Sequence, residues 1–182
     1  MAIGWFDSAE RYGKVTRALH WVMAGILAWQ FTGMILKLAL GRAPVVSFFL
    51  GLHGPLGALL FVLAAVRIVW GGLSRERRPV NDSGLLGALA RGGHVALYAL
   101  MAIVPALALL RAWGSGRGFE PFGIPVFPAT GVEVAWATAP GNALHGLLAW
   151  ALLLLIAGHV LMVVVHQFVL RDDTAKRMIS LH

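Results

Sequence analysis

Four apolar stretches, at about 16–38, 52–73, 92–112 and 142–169, constrain this chain more than anything else in it. Each approaches or exceeds the ~20 apolar residues that a helix needs to cross a bilayer. None contains Asp or Glu. The connections between them leave no room for a soluble domain. Within 182 residues, 59% hydrophobic and only 13% charged, that reads as an all-α integral membrane four-helix bundle, one transmembrane domain over 1–182. The mean hydropathy of +0.78 points the same way; soluble domains carry about 25% charged residues. Cysteine is absent, which excludes disulfides, thiolate metal sites and a cysteine nucleophile. The first apolar run starts behind Arg11, Lys14 and Arg17 and lacks a small-residue cleavage site, so no cleavable signal peptide is expected.

Charge orients the bundle. Arg11, Lys14 and Arg17 precede the first stretch; Arg75, Arg77, Arg78 and Arg91 lie between the second and third; Arg171, Lys176 and Arg177 follow the fourth. The opposite side carries Lys37, Arg42, Arg111 and Arg117. An excess of ten over four predicts both termini in the cytoplasm. The net charge of +7 is thereby read as orientation and lipid headgroup contact, with no nucleic-acid partner. Residues 1–14 are expected on the cytoplasmic surface, with Trp5 and Phe6 as interfacial aromatics. Ser74–Gly84, with Pro79, Asn81 and Asp82, reads as a cytoplasmic turn. Pro105 should kink the third span. The external segment at about 113–141, rich in Gly, Pro and Phe, is expected to fold over the outer mouth.

Histidines supply the chemistry. His145 and His159 are fourteen residues apart in the fourth stretch, close to four helical turns, and so share a face at roughly 21 Å separation. His20 lies about one turn into the first stretch and His53 opens the second. The alternating direction of the spans matches His20 in depth with His159 near the cytoplasmic face, and His53 with His145 near the external face. A single histidine near a helix end is ordinarily an interfacial, hydrogen-bonded side chain. Four at matched depths, each pair joining different helices, suit bis-imidazole ligation of two stacked haems, which favours electron transfer over oxygen binding. His94 is left without a partner and reads as an interfacial, propionate-bonding or quinone-contacting residue. His166 reads as an outer-shell or surface residue. Arg67, toward the cytoplasmic end of the second span, either snorkels to the headgroups or pairs with a haem propionate; Arg17 is a weaker candidate for that work.

These residues also resemble a family. Tyr12-Gly13-Lys14-Val15-Thr16-Arg17-Ala18-Leu19-His20-Trp21 is similar to the opening motif of the bacterial cytochrome b561 family. Leu52-His53-Gly54-Pro55-Leu56-Gly57 with Arg67, and Gly93-His94-Val95-Ala96-Leu97-Tyr98, resemble its second and third helices. The run from His145 through His159 to His166, then Arg171-Asp172-Asp173-Thr174 and Arg177-Met178, resembles its final segment. The resemblance implies two haem b groups, on His20 and His159 and on His53 and His145. It further implies superoxide:ubiquinone oxidoreductase activity, with superoxide oxidised at the external face and ubiquinone reduced in the membrane. Lys37, Arg42, Arg111 and Arg117 are the groups available to steer superoxide. The same plan serves as the cytochrome b subunit that anchors hydrogenase- or dehydrogenase-type complexes, and short tails favour the self-contained enzyme. A histidine-based metal transporter is a third reading. A homo-oligomer or a redox partner subunit is compatible with the lipid-facing surfaces.

Overall fold

The computed structural model describes residues 4–78, 84–172 and 174–179. The turn residues Pro79, Asn81 and Asp82, the tail residue Asp173 and the first three residues lie outside that range. The elements are α1 (Lys14–Leu40), α2 (Pro44–Gly51), α3 (His53–Leu73), α4 (Gly84–Gly114), β1 (Arg117–Phe119), β2 (Phe127–Ala129), α5 (Ala135–Val165) and α6 (Lys176–Ile179). A single π-helical turn, His166–Leu170, extends α5. Four helical segments are long and apolar enough to cross a membrane: Lys14–Leu40, Pro44–Leu73, Gly87–Gly114 and Ala135–Leu170. Hydrocarbon offers no hydrogen-bond partners, so segments like these must satisfy their backbone groups internally, and the helix does so. Their outward faces carry large exposed side chains such as Leu154 (74% exposed) and Leu161, which fit a lipid setting.

The shared core is a narrow layer at mid-height. Met23, Ile26 and Leu27 of α1 meet Leu60 and Ala64 of α3, Met101 of α4 and Leu152 of α5. Leu152 stands seven residues from both His145 and His159, so this apolar layer separates two histidine levels. The most extensive helix–helix packing is α4 against α5.

Several boundaries differ from the expectation. Helix α4 begins at Gly84 and its membrane span at Gly87, not near 92, so Arg91 belongs to the helix. Helix α5 begins at Ala135, which shortens the long connection to 115–134. That connection folds as a small antiparallel hairpin, Arg117 opposite Ala129 and Phe119 opposite Phe127. The short loop after α1 holds a helix of its own, α2, with Pro44 in its first turn, where a missing N–H costs nothing. It packs on α1 through Trp29, whose ring centre lies 4.3 Å from that of Phe49. Helix α2 breaks at Leu52 (φ −92°, ψ −3°) and continues as α3. His53 is therefore the first residue after a kink.

The N-terminal segment is tied down. The buried Asp7 carboxylate accepts from the Gly13 N–H (2.8 Å) and from Arg78 Nε (3.0 Å), joining the start of α1 to the end of α3. Phe6 stacks on Trp70 at 5.6 Å, while Trp5 and Phe6 keep most of their surface exposed. Gly13 permits this approach, because a Cβ there would stand 2.4 Å from the Phe6 carbonyl.

Candidate functional site: two histidine levels

The first level lies at the end of the bundle that carries both termini. His20 of α1 and His159 of α5 face each other, ring centres 6.4 Å apart and planes at 63°. His94 of α4, expected to stand without a partner, lies beside His159 at 5.4 Å. His94 stands on α4 one turn before Tyr98, on the same level. Arg67 of α3 is the polar hub here, only 9% exposed. Its Nε donates to the Tyr98 hydroxyl (3.0 Å), its Nη1 to the Thr16 carbonyl (3.4 Å), and its Nη2 faces His20 Nδ1 (3.3 Å). The guanidinium also lies over the Tyr98 ring. Trp70 Nε1 donates to Thr16 Oγ1 (2.9 Å), which locks α3 to α1 just below. Arg17 points elsewhere and donates to the Ile179 carbonyl (2.9 Å), tying α1 to α6. His166 bonds the Asp172 carboxylate in the tail after α5. That contact holds the Asp172 carboxyl at about 2, below its ordinary value.

The second level lies at the opposite end. His53 and His145 face each other with ring centres 6.2 Å apart and planes at 79°. His145 Nδ1 donates to the Val104 carbonyl (3.0 Å), next to Pro105 of α4, which leaves Nε2 with its lone pair free. An imidazole that ligates a metal commonly gives its other N–H to such a carbonyl. Gln30 Nε2 donates to the His53 carbonyl (2.9 Å). Arg111 and Lys37 lie within electrostatic reach of His53. The Arg111 stem lies flat on Gly141, where a Cβ would stand 2.7 Å from its own. Arg42 and Arg117 are exposed on the same end. The hairpin covers this level from outside: Phe119 rests against Gly54, one residue past His53.

The spacing of both pairs can be tested against bis-imidazole ligation. First-row metals bind imidazole nitrogen at about 2.0–2.1 Å. Two rings on opposite sides of one ion therefore have centres roughly 6–6.5 Å apart. His20–His159 and His53–His145 fit that span; His94–His159 is too short. Among the described residues no three His, Asp or Glu side chains converge to hold a bare metal ion.

Residues 11–181 match the family model of prokaryotic cytochrome b561. Cytochrome b561 homolog 2 of Escherichia coli K12 is 32% identical over 183 residues, covering 96% of this chain and 94% of that protein. Cytochrome b562 of Cereibacter sphaeroides is 30% identical over 174 residues, covering 92% and 94%. The chain belongs to the prokaryotic cytochrome b561 family. This cytochrome is accordingly a multi-pass bacterial membrane protein of electron transfer, in a family whose name implies b-type haem.

Sequence reasoning missed three polar side chains of the cytochrome's two levels: Thr16, Gln30 and Tyr98. A glutamine in the middle of a span is itself a signal, because a buried amide in lipid needs partners and usually finds them across a helix interface. Thr16 and Tyr98 carry no comparable mark, since either is at home near a span's end.

Proposed function

We propose that this cytochrome holds two haem b groups, one between His20 and His159 and the other between His53 and His145, and that it oxidises superoxide and reduces ubiquinone. The observation that carries the reading is the pair of ring separations, 6.4 and 6.2 Å, on four different helix positions. Bound there, haem b supplies two one-electron carriers stacked across the membrane. The excess of basic residues at the terminal end argues for that end in the cytoplasm and for the inner membrane as the location.

The chain's own residues then have distinct tasks. Lys37 and Arg111 attract the superoxide anion to the level of His53, with Arg42 and Arg117 adding to the field from the rim. The Phe119 hairpin narrows the approach and keeps bulkier reductants away. His145, held by Val104, presents Nε2 in a fixed orientation. At the other level, ligation through His20 Nε2 requires its ring proton on Nδ1. Arg67 has no acceptor to offer that proton, so its Nη2 must turn from His20 toward an anionic oxygen while Tyr98 and Thr16 keep hold of the rest. A propionate is such a group. His94, exposed and fixed by Nδ1–H to the Ala90 carbonyl (2.7 Å), lies where quinone would meet this level from the lipid. Each of two superoxide anions gives up one electron and leaves as dioxygen; ubiquinone takes two electrons and two protons.

The test is a haem quantification followed by a turnover assay. Purified protein is expected to hold about two b-type haems per chain and to reduce a soluble ubiquinone analogue when superoxide is generated enzymatically. Two haems with no such turnover would leave the subunit reading, in which a separate protein supplies the electrons.

A further inference from the structure

We infer that Gln30 is a positioning residue for the His53–His145 pair, setting the attitude of the His53 ring through its backbone; the inference rests on the haem reading above. His53 is the first residue of α3, directly behind the break at Leu52 that separates it from α2. Its ring nitrogens bond to no other described residue, so the ring goes where the backbone goes. His145 is the opposite case, midway along a continuous helix with its Nδ1 held by Val104. The only side chain that bonds the His53 backbone among the described residues is Gln30, which reaches from α1 and donates Nε2 to its carbonyl at 2.9 Å. Gly57, one turn on, lies beside the amide: a Cβ there would stand at an ordinary contact distance, 3.5 Å, from Nε2.

The other half of the amide shows that packing alone does not explain it. Gln30 is 8% exposed, and its Oε1 is buried without a partner. An unpaired amide oxygen in an apolar bundle is unfavourable, and a leucine or methionine of similar size would avoid that cost. The glutamine therefore contributes through its donor, which spans the kink and fixes the first turn of α3 to α1. Side chains that enter a broken helical ladder in this way hold a bend at a set angle. The bend sets the near-perpendicular arrangement of the two imidazole planes, 79°.

The experiment compares wild type with Gln30→Met, which keeps the volume and removes the donor. Ferric low-spin haem between two imidazoles gives an electron paramagnetic resonance whose anisotropy follows the angle between the ring planes. Gln30→Met is expected to displace the signal of the His53–His145 haem and leave the other haem's signal as an internal control of folding. Transfer of that one haem to apomyoglobin should quicken about ten-fold, as when the partner orienting a metal ligand is lost. Gln30→Asn, too short to reach the carbonyl, should act in the same direction and covers the case in which methionine disturbs packing against α2. Gln30→Glu, protonated in this apolar setting and able to donate an O–H, should restore the wild-type signal. Unchanged resonance and haem retention in both Gln30→Met and Gln30→Asn would overturn the inference. A wild type without a second low-spin haem would instead overturn the haem reading beneath it.

Discussion

The two histidine levels are built to the same ring spacing and by opposite means. At the terminal end the pair is wrapped in protein polarity: a buried Arg67 shared between Tyr98, Thr16 and His20, a third imidazole beside it, and the Asp7–Arg78 tie across the base. At the loop end the neighbours are a backbone carbonyl and one amide, while the charges, Lys37 and Arg111, stand around the pair and reach it through space. A level fixed by direct hydrogen bonds suits a cofactor whose charged groups need internal partners. A level with basic groups held at a distance suits a small anion that arrives and leaves. The contrast between a wired end and an open, charged end follows from which helix ends meet there: α1, α3 and α4 bring polar side chains together at the base, whereas the opposite end is closed by α2 and a hairpin made mostly of apolar side chains.

The largest test of that contrast is His159→Ala. It should reduce haem from about two per chain to about one, with the His53–His145 haem retained, as pyridine haemochrome and the reduced-minus-oxidised spectrum will show. Two full equivalents would mean that His94 can replace His20's partner and that the levels are paired wrongly. Next comes Arg67→Met. Removing a buried donor that bonds both Tyr98 and Thr16 should cost about 1–3 kcal/mol, read as a lowered midpoint in thermal unfolding. Arg67→Lys should not recover it, because an ammonium cannot form the same planar set of contacts. At the open end, the double change Lys37→Gln with Arg111→Gln should leave haem content unchanged and lower superoxide-driven kcat/KM about ten-fold at low ionic strength. Salt should shrink that difference; a deficit that persists unscreened would indicate a contact and not steering. The smallest effect belongs to the tail. His166 holds the Asp172 carboxyl down to about 2, below its ordinary value, so its contribution is present at neutral pH and is lost only as pH falls through about 2. Because Asp172 is exposed to solvent, Asp172→Asn should leave the unfolding midpoint at pH 7 within error; a clear drop would place this tail among the wired contacts.

The four spans and the pairing of His20 with His159 and of His53 with His145 were legible along the chain. Hydropathy over twenty residues is a local property, and 3.6-residue periodicity puts residues fourteen apart on one face without reference to other helices. The position of His94 was not legible. Depth matching assigns levels but cannot rank three imidazoles on one level, and the extension of α4 back to Gly84 lies between the expected turn, which ends at Gly84, and the expected span, which starts near 92. Helix α2 was hidden for a similar reason: eight residues behind a proline are too few for a periodic signal, and they fold because Phe49 finds Trp29. The hairpin over His53 depends on backbone pairing between residues eight and twelve apart, and Gly116 lies so close to Val132 there that a Cβ would meet its carbonyl at 2.3 Å.

What this chain determines by itself is therefore everything that a single helix can carry: how many times it crosses, which way its charge points, and which histidines share a depth. What only the tertiary structure decides is which groups touch across helices, namely Arg67 on Tyr98 and Thr16, Gln30 on the carbonyl of His53, and Asp7 on Arg78. The physical reason is one of range. Burial in lipid acts on each segment independently, whereas a hydrogen bond requires its two atoms within about 3 Å, a condition met only once kinks, helix lengths and crossing positions have been chosen together.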